Sequence, residues 1–197
     1  MPENHGSPAD EYVALRDGAG LTDPEWAVIR VHGPDAVSFL QGLLSQDLQP
    51  GTCVRTFLLG PRGKLRALAW ALVGEDEVLL VSDTPDVLVQ DLSRYRIRVK
   101  AEIEADDRPV RLLIGATSDS ALPEAPADRS WVAGDGWAVG DVSIHGRLRR
   151  VVIGDVPLGA VTAVGTTAAE AVRIELGEPL VGVDVDESTI PQETGLV

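Results

Sequence analysis

The sequence holds a single cysteine, Cys53, so no disulfide closes within the chain and no cysteine-rich zinc or iron–sulfur cage can be built. Its three histidines, His5, His32 and His145, are far apart, and no metal-ligand spacing surrounds them. Lysine is nearly missing: Lys64 and Lys100 stand against 15 arginines. Basic groups are in deficit altogether, 17 against 31 acidic ones, for a net charge of −14. Duplex nucleic acid and anionic membranes repel such a surface, so neither is expected as a partner. No stretch reaches the roughly 18 uncharged apolar residues of a membrane-spanning helix. The polar, acidic start MPENHGSPADEY does not read as a signal peptide, and a cytoplasmic location is the expectation.

What is present describes a folded protein. Apolar residues make up 44% of 197, enough for a core without disulfides or metals. At about 150 residues per domain, this length gives one large domain or two small ones. Charge is unevenly spread, with a net of −4 over residues 1–100 and −10 over residues 101–197.

Periodicity then divides the chain. Residues 1–11 read as a loose tail, and Tyr12 to Gly20 as a short helix ending at glycine. WAVIRVHG (26–33) alternates like a strand, and Pro34 and Asp35 open a helix with Val37, Leu40, Leu43 and Leu44 on one face. Residues 52–60 and 64–73 read as a hairpin, with a third strand at 77–82. A second helix opens at Thr84-Pro85 and runs into a strand at RIRVKAEIE. Further strands are expected at 109–117, 137–144 and 148–154, with a surface loop at 118–130. Thr167 and Glu170 have the spacing of a capping box before AAEAVRIEL, a helix stopped by Gly177. Residues 178–197 show no clear element. The expected fold class is α+β, antiparallel meanders with helices packed on one face.

Two segments concentrate positive charge. In RYRIRVK, Arg94, Arg96, Arg98 and Lys100 alternate with Tyr95, Ile97 and Val99, and a strand would place the two sets on opposite faces. In PRGKLR, Arg62, Lys64 and Arg66 repeat the pattern. Such strips suit an anionic ligand, a carboxylate tail or a phosphate. They equally suit a solvated face paired with surface acids. Cys53 lies in an apolar run and reads as packed and inert. Trp70, Trp131 and Trp137 read as core or edge residues, and a flat heterocycle is the alternative contact. No Ser-His-Asp set, Walker loop or dinucleotide fingerprint is present, and GPRGK (60–64) lacks P-loop spacing.

The order of four segments resembles the glycine-cleavage T-protein/YgfZ-like superfamily, the tetrahydrofolate aminomethyltransferases and their folate-binding relatives. They are IRVHGPDAVSFLQGLLSQDL (29–48), LLGPRGKLRALAWAL (58–72), RYRIRVKAEIE (94–104) and RIELGEPLVGVDVDESTIPQETGL (173–196). The resemblance runs from about residue 12 onward and is weak over 118–165. It implies three modules around a cavity that holds folate. Here a C-terminal barrel would be missing, supplied by a second chain or closed off by a homodimer. Two modules are expected within the chain, about 12–105 with 167–197, and about 106–166.

The resemblance also implies a chemistry, transfer of an aminomethyl carbon to tetrahydrofolate, and a departure from it. Arg66 stands where the family's catalytic aspartate aligns, and a permanent cation cannot act as a base. The YgfZ-like branch carries a Lys-Gly-Cys-Tyr-x-Gly-Gln-Glu box after the Pro-Gln-Glu segment, and this sequence stops at Val197 before that box could occur. Glu175 matches the glutamate of the family's Arg-x-Glu-x-Gly run, where a carboxylate accepts hydrogen bonds from the pterin edge. Arg173 of that run reads as structural. Arg66, Arg96 and Arg98 are assigned to the glutamate tail of folate on charge alone. The expectation is therefore a folate-binding, YgfZ-like accessory protein of one-carbon or iron–sulfur metabolism, with tetrahydrofolate as ligand and no metal. The alternatives are a tetrahydrofolate-dependent one-carbon transferase, with Glu175 as its base, and a shortened homologue turned to another small molecule or a partner protein.

Overall fold

A computed structural model describes residues 3–196. In chain order the elements begin with helix α1 (Pro8–Asp17), strands β1 (Gly20–Thr22) and β2 (Ala27–His32) and helix α2 (Ala36–Gln41). The meander β3 (Cys53–Leu59), β4 (Leu65–Val73) and β5 (Glu77–Ser82) follows, then α3 (Pro85–Tyr95) and β6 (Glu102–Asp106). Strands β7 (Val110–Ile114), β8 (Trp131–Gly134), β9 (Trp137–Asp141), β10 (Arg149–Ile153) and β11 (Thr162–Ala163) precede α4 (Thr166–Glu175). No described helix is long and apolar enough to cross a membrane.

The chain divides into two compact units, each built from separated segments. One takes Trp26–Asp107 and the residues from Pro179 onward; the other takes the residues up to Glu25 and Arg108–Glu178.

The unit of Trp26–Asp107 is built on an antiparallel sheet in the order β3-β4-β5-β2-β6. Ala67, Ala69 and Ala71 recur at every second position of β4, so they share one face. These small side chains share a core with Leu40 of α2 and with Leu88 and Leu92 of α3. Pro85 in the first turn of α3 and the i, i+4 spacing of its buried leucines explain that helix. Phe57, Leu65 and Leu68 form a separate cluster with Val185, against which Val181 and Leu196 pack.

The second unit carries a sheet in the order β11-β1-β7-β10-β9-β8, antiparallel except for the β1–β11 pair. Leu113, Val139 and Val152 anchor its core. Helices α1 and α4 pack against each other. Gly115 follows β7 at φ +126°, and a side chain there would meet the backbone oxygens of Gly18 and Ala14. The fold is thus α+β and antiparallel, and neither sheet closes into a barrel among the described residues.

Several local expectations are corrected. RYRIRVK is not a strand: α3 runs through Tyr95, and pairing with β2 begins only at Glu102. Arg98 has φ +59°, outside any strand conformation, so the two-faced cationic strip does not form. In PRGKLR, Arg62 and Lys64 lie in the turn between β3 and β4. The pairing steps from Leu59 opposite Leu65 to Leu58 opposite Ala67, which leaves Arg66 as the extra residue of a β-bulge. The capping box at Thr167 is absent; Gly165 precedes the helix, and its N–H is held by Glu11 at 2.9 Å. Of the loose tail, residues 1 and 2 lie outside the described residues, while Pro8 onward is helical and Glu11 is buried. The helix α4 lies in the unit of Arg108–Glu178. Strands β8 and β11 fall in stretches without a periodic signal.

Candidate functional site

An open pocket of about 460 Å³ lies within the unit of Arg108–Glu178. Four pieces of chain meet around it. The last turn of α1 contributes Arg16, the chain after β7 contributes Ala116, the turn before β10 contributes His145 and Arg147, and the end of α4 contributes Glu175. Each has a local cause. Gly18 stops α1 one residue after Asp17. Gly177, at φ +62°, stops α4 soon after Glu175. Between Ile144 and Arg147 the chain makes a two-residue hairpin, with reciprocal backbone hydrogen bonds of 2.9 and 3.2 Å. His145 and Gly146, at φ +48° and +77°, give that hairpin a type I′ turn.

Glu175 is held from two sides. The Tyr12 hydroxyl donates to Oε2 at 3.0 Å, and Arg147 Nη2 donates to Oε1 at 3.3 Å. The Glu175 side chain is 46% exposed and that of Arg147 16%. Arg16 is clasped by Asp17 at 2.6 Å, which together with the nearby Arg147 holds the Asp17 carboxyl below its ordinary range. The pocket wall thus combines one carboxylate with two guanidinium groups and an imidazole.

Deeper in the same unit, two adjacent arginines on β10 are buried. Arg149 faces Glu178 at 2.9 Å, with side chains 2% and 7% exposed. Arg150 reaches Asp119 at 2.8 Å and also contacts the buried Asp141. Burial pushes the Asp141 carboxyl up, but hydrogen bonds from the Ser143 hydroxyl and the Arg129 and Ser143 N–H groups, with the Arg150 charge, carry it below its ordinary range. Arg173 donates to Glu170 and to the carbonyl of Glu178, a tie that fixes the chain leaving α4.

The remaining candidates lie in the other unit. The bulge carries Arg66 to Asp91 of α3 at 2.7 Å and to Glu187 at 3.2 Å. Arg96 donates to the Ala101 carbonyl at 2.9 Å and pairs with Glu102. Arg98 is exposed and has no ion-pair partner among the described residues. Arg66 and Arg96 are therefore already neutralised by carboxylates. Cys53 is buried, and Arg55 lies over the Trp70 ring at 5.4 Å, so that tryptophan is covered from within.

Tyr12, Arg16, His145 and Arg147 were not picked out by the sequence. The His145-Gly146 pair marks a turn, but nothing in a linear chain places that turn beside Glu175.

Comparison with known proteins gives this fold a name. The structure superposes on the glycine-cleavage aminomethyltransferase T of Bartonella henselae with a TM-score of 0.83, over 94% of this chain and 58% of that one, at 23% identity. The fold is that of the T-protein. In sequence, the aminomethyltransferase of Nitrosococcus oceani is 27% identical over the whole chain, which covers 61% of that protein. The tRNA-modifying protein YgfZ of Edwardsiella ictaluri is 34% identical over 104 residues, half of this chain and 31% of that protein. No protein-family model matches. The chain is similar in sequence to aminomethyltransferases over its whole length and spans about three-fifths of theirs.

Proposed function

We propose that this chain binds tetrahydrofolate in the pocket at Glu175 and does not carry out standard aminomethyl transfer. The observation that carries the reading is the fixed carboxylate of Glu175 on the pocket wall, held by Tyr12 and Arg147. A pterin offers N–H donors, and an ionised carboxylate offers only acceptors. At about 460 Å³ the pocket has the size of a small-molecule site, and its donor set suits such a ring. Arg66 supports the second half of the reading. On the resemblance it stands in for the family's aspartate, and it is paired with Asp91.

The glutamate tail of folate is assigned to Arg16, which lines the same pocket as Glu175. Arg66, Arg96 and Arg98 are not among the residues that line this pocket, and Arg16 would exchange Asp17 for the ligand. An accessory role beside one-carbon or iron–sulfur enzymes is part of this proposal and rests on the resemblance of its segments to the YgfZ-like branch.

A tetrahydrofolate-dependent transferase is the second reading. It is favoured by the aminomethyltransferases that match the whole chain. Calorimetric titration with tetrahydrofolate tests the binding, and saturable heat is expected. An aminomethyl-transfer assay for methylenetetrahydrofolate separates the two readings. No product is expected, and turnover would favour the transferase.

A further inference from the structure

We infer that Arg147 reads the ring carbonyl of the bound pterin, so that the Glu175–Arg147 pair selects a 4-oxo ring over a 4-amino one. This rests on the folate reading above and deepens it.

A carboxylate has about four acceptor positions, and an arginine has about five N–H donors in a planar fork. Glu175 uses one position for Tyr12 and one for Arg147. Arg147 gives one donor to Glu175, and no other hydrogen bond from its side chain exists among the described residues. Both side chains line the pocket, so acceptors and donors stand next to each other on one wall. The complementary ligand edge has N–H donors followed by a carbonyl oxygen. A 2-amino-4-oxopyrimidine ring has this edge: its amine and ring N–H face the carboxylate, and its oxygen faces the guanidinium. Pterin and guanine both contain it.

A 2,4-diamino ring breaks the match. It presents an amine where Arg147 offers donors. It also takes up a proton readily, which sets a positive ring against a guanidinium that never loses its charge. Among the residues that line the pocket, Glu175 is the one carboxylate, it is already paired with Arg147, and Arg16 and His145 add no negative charge to pair with a protonated ring. Tyr12 has a different part. It fixes Glu175 and faces no ring carbonyl, so it acts as a positioning residue.

The test compares tetrahydrofolate with tetrahydroaminopterin, which differ in the 4-oxo and 4-amino groups, by equilibrium titration of the full chain. The native protein is expected to prefer the 4-oxo form by roughly 10–100-fold, the range of one hydrogen bond to a charged group. Arg147→Gln should bring the two affinities within about threefold of each other. Arg147→Lys, which keeps the charge, should retain most of the preference. Tyr12→Phe should weaken both ligands alike and leave their ratio unchanged. Circular dichroism confirms that each variant is folded. A ratio unaffected by Arg147→Gln overturns this inference and leaves the folate reading standing. Binding of neither ligand by the native protein overturns both. Guanosine is the third probe, and tighter binding of guanosine than of tetrahydrofolate overturns the pterin assignment and this inference with it.

Discussion

At the scale of the residue, charge decides more than hydropathy does. Arg149 and Glu178 are both buried and 2.9 Å apart. Removing one partner leaves the other charge stranded in a poor solvent. Glu178→Ala should therefore lower the folding stability by about 3–5 kcal/mol, measured by urea unfolding. An unchanged midpoint would mean that Arg149 finds water or another acceptor. Glu11 makes a different kind of contact. Its carboxylate accepts the N–H groups of Gly165, His5 and Gly6, and these hydrogen bonds hold it below its ordinary range. Asp141 is held low as well. A carboxyl with a lowered folded pKa contributes stability that is complete above its unfolded value, about 4. That contribution fades as pH falls through the lower folded value, because the unfolded chain takes up the protons first. Urea midpoints should fall steeply below about pH 4, and Glu11→Gln should flatten part of that fall. An equally steep profile in the variant would contradict this account. None of these pairings was legible in the sequence, because each joins residues far apart in the chain.

At the scale of the element, much was legible, and the misses have local causes. The β3–β4 hairpin, β5, α3 and the glycine stop of α4 follow from alternation, helical spacing and Gly177. RYRIRVK misled because its period of two began inside a helix, and the chain then turned at Arg98 with φ +59°. Arg66 misled because a one-residue bulge re-aims it, and a bulge leaves no mark on polar alternation. The His145-Gly146 turn has the opposite character. Asn-Gly is the preferred pair in a type I′ turn, and a non-glycine residue at positive φ carries strain. His145→Asn should stabilise the hairpin by a few tenths to about 1 kcal/mol, read as a rise in Tm. A clear loss of stability would show that the imidazole supports the fold rather than the pocket.

At the scale of the whole molecule, the chain crosses between its two units more than once. It leaves one at Glu25, returns at Arg108 and departs again after Glu178. Composition carries no trace of such crossings, which is why the grouping of 12–105 with 167–197 expected from the sequence differs from these units. The last segment is not an appendage: Val185 shares a cluster with Phe57, Leu65 and Leu68, and Leu196 packs against it. A chain ending at Glu178 should expose that cluster, bind the dye ANS and unfold at a lower temperature. Absence of dye binding would argue that those side chains find other cover.

The claim on which the functional account turns is that one carboxylate, at the end of α4, holds the pterin. The dissociation constant of tetrahydrofolate for the native chain and for Glu175→Gln measures it most directly, because the amide keeps the shape but replaces an acceptor with a donor. The account predicts saturable binding by the native chain and a loss of at least about tenfold in the variant. Equal affinities in the two proteins would contradict it.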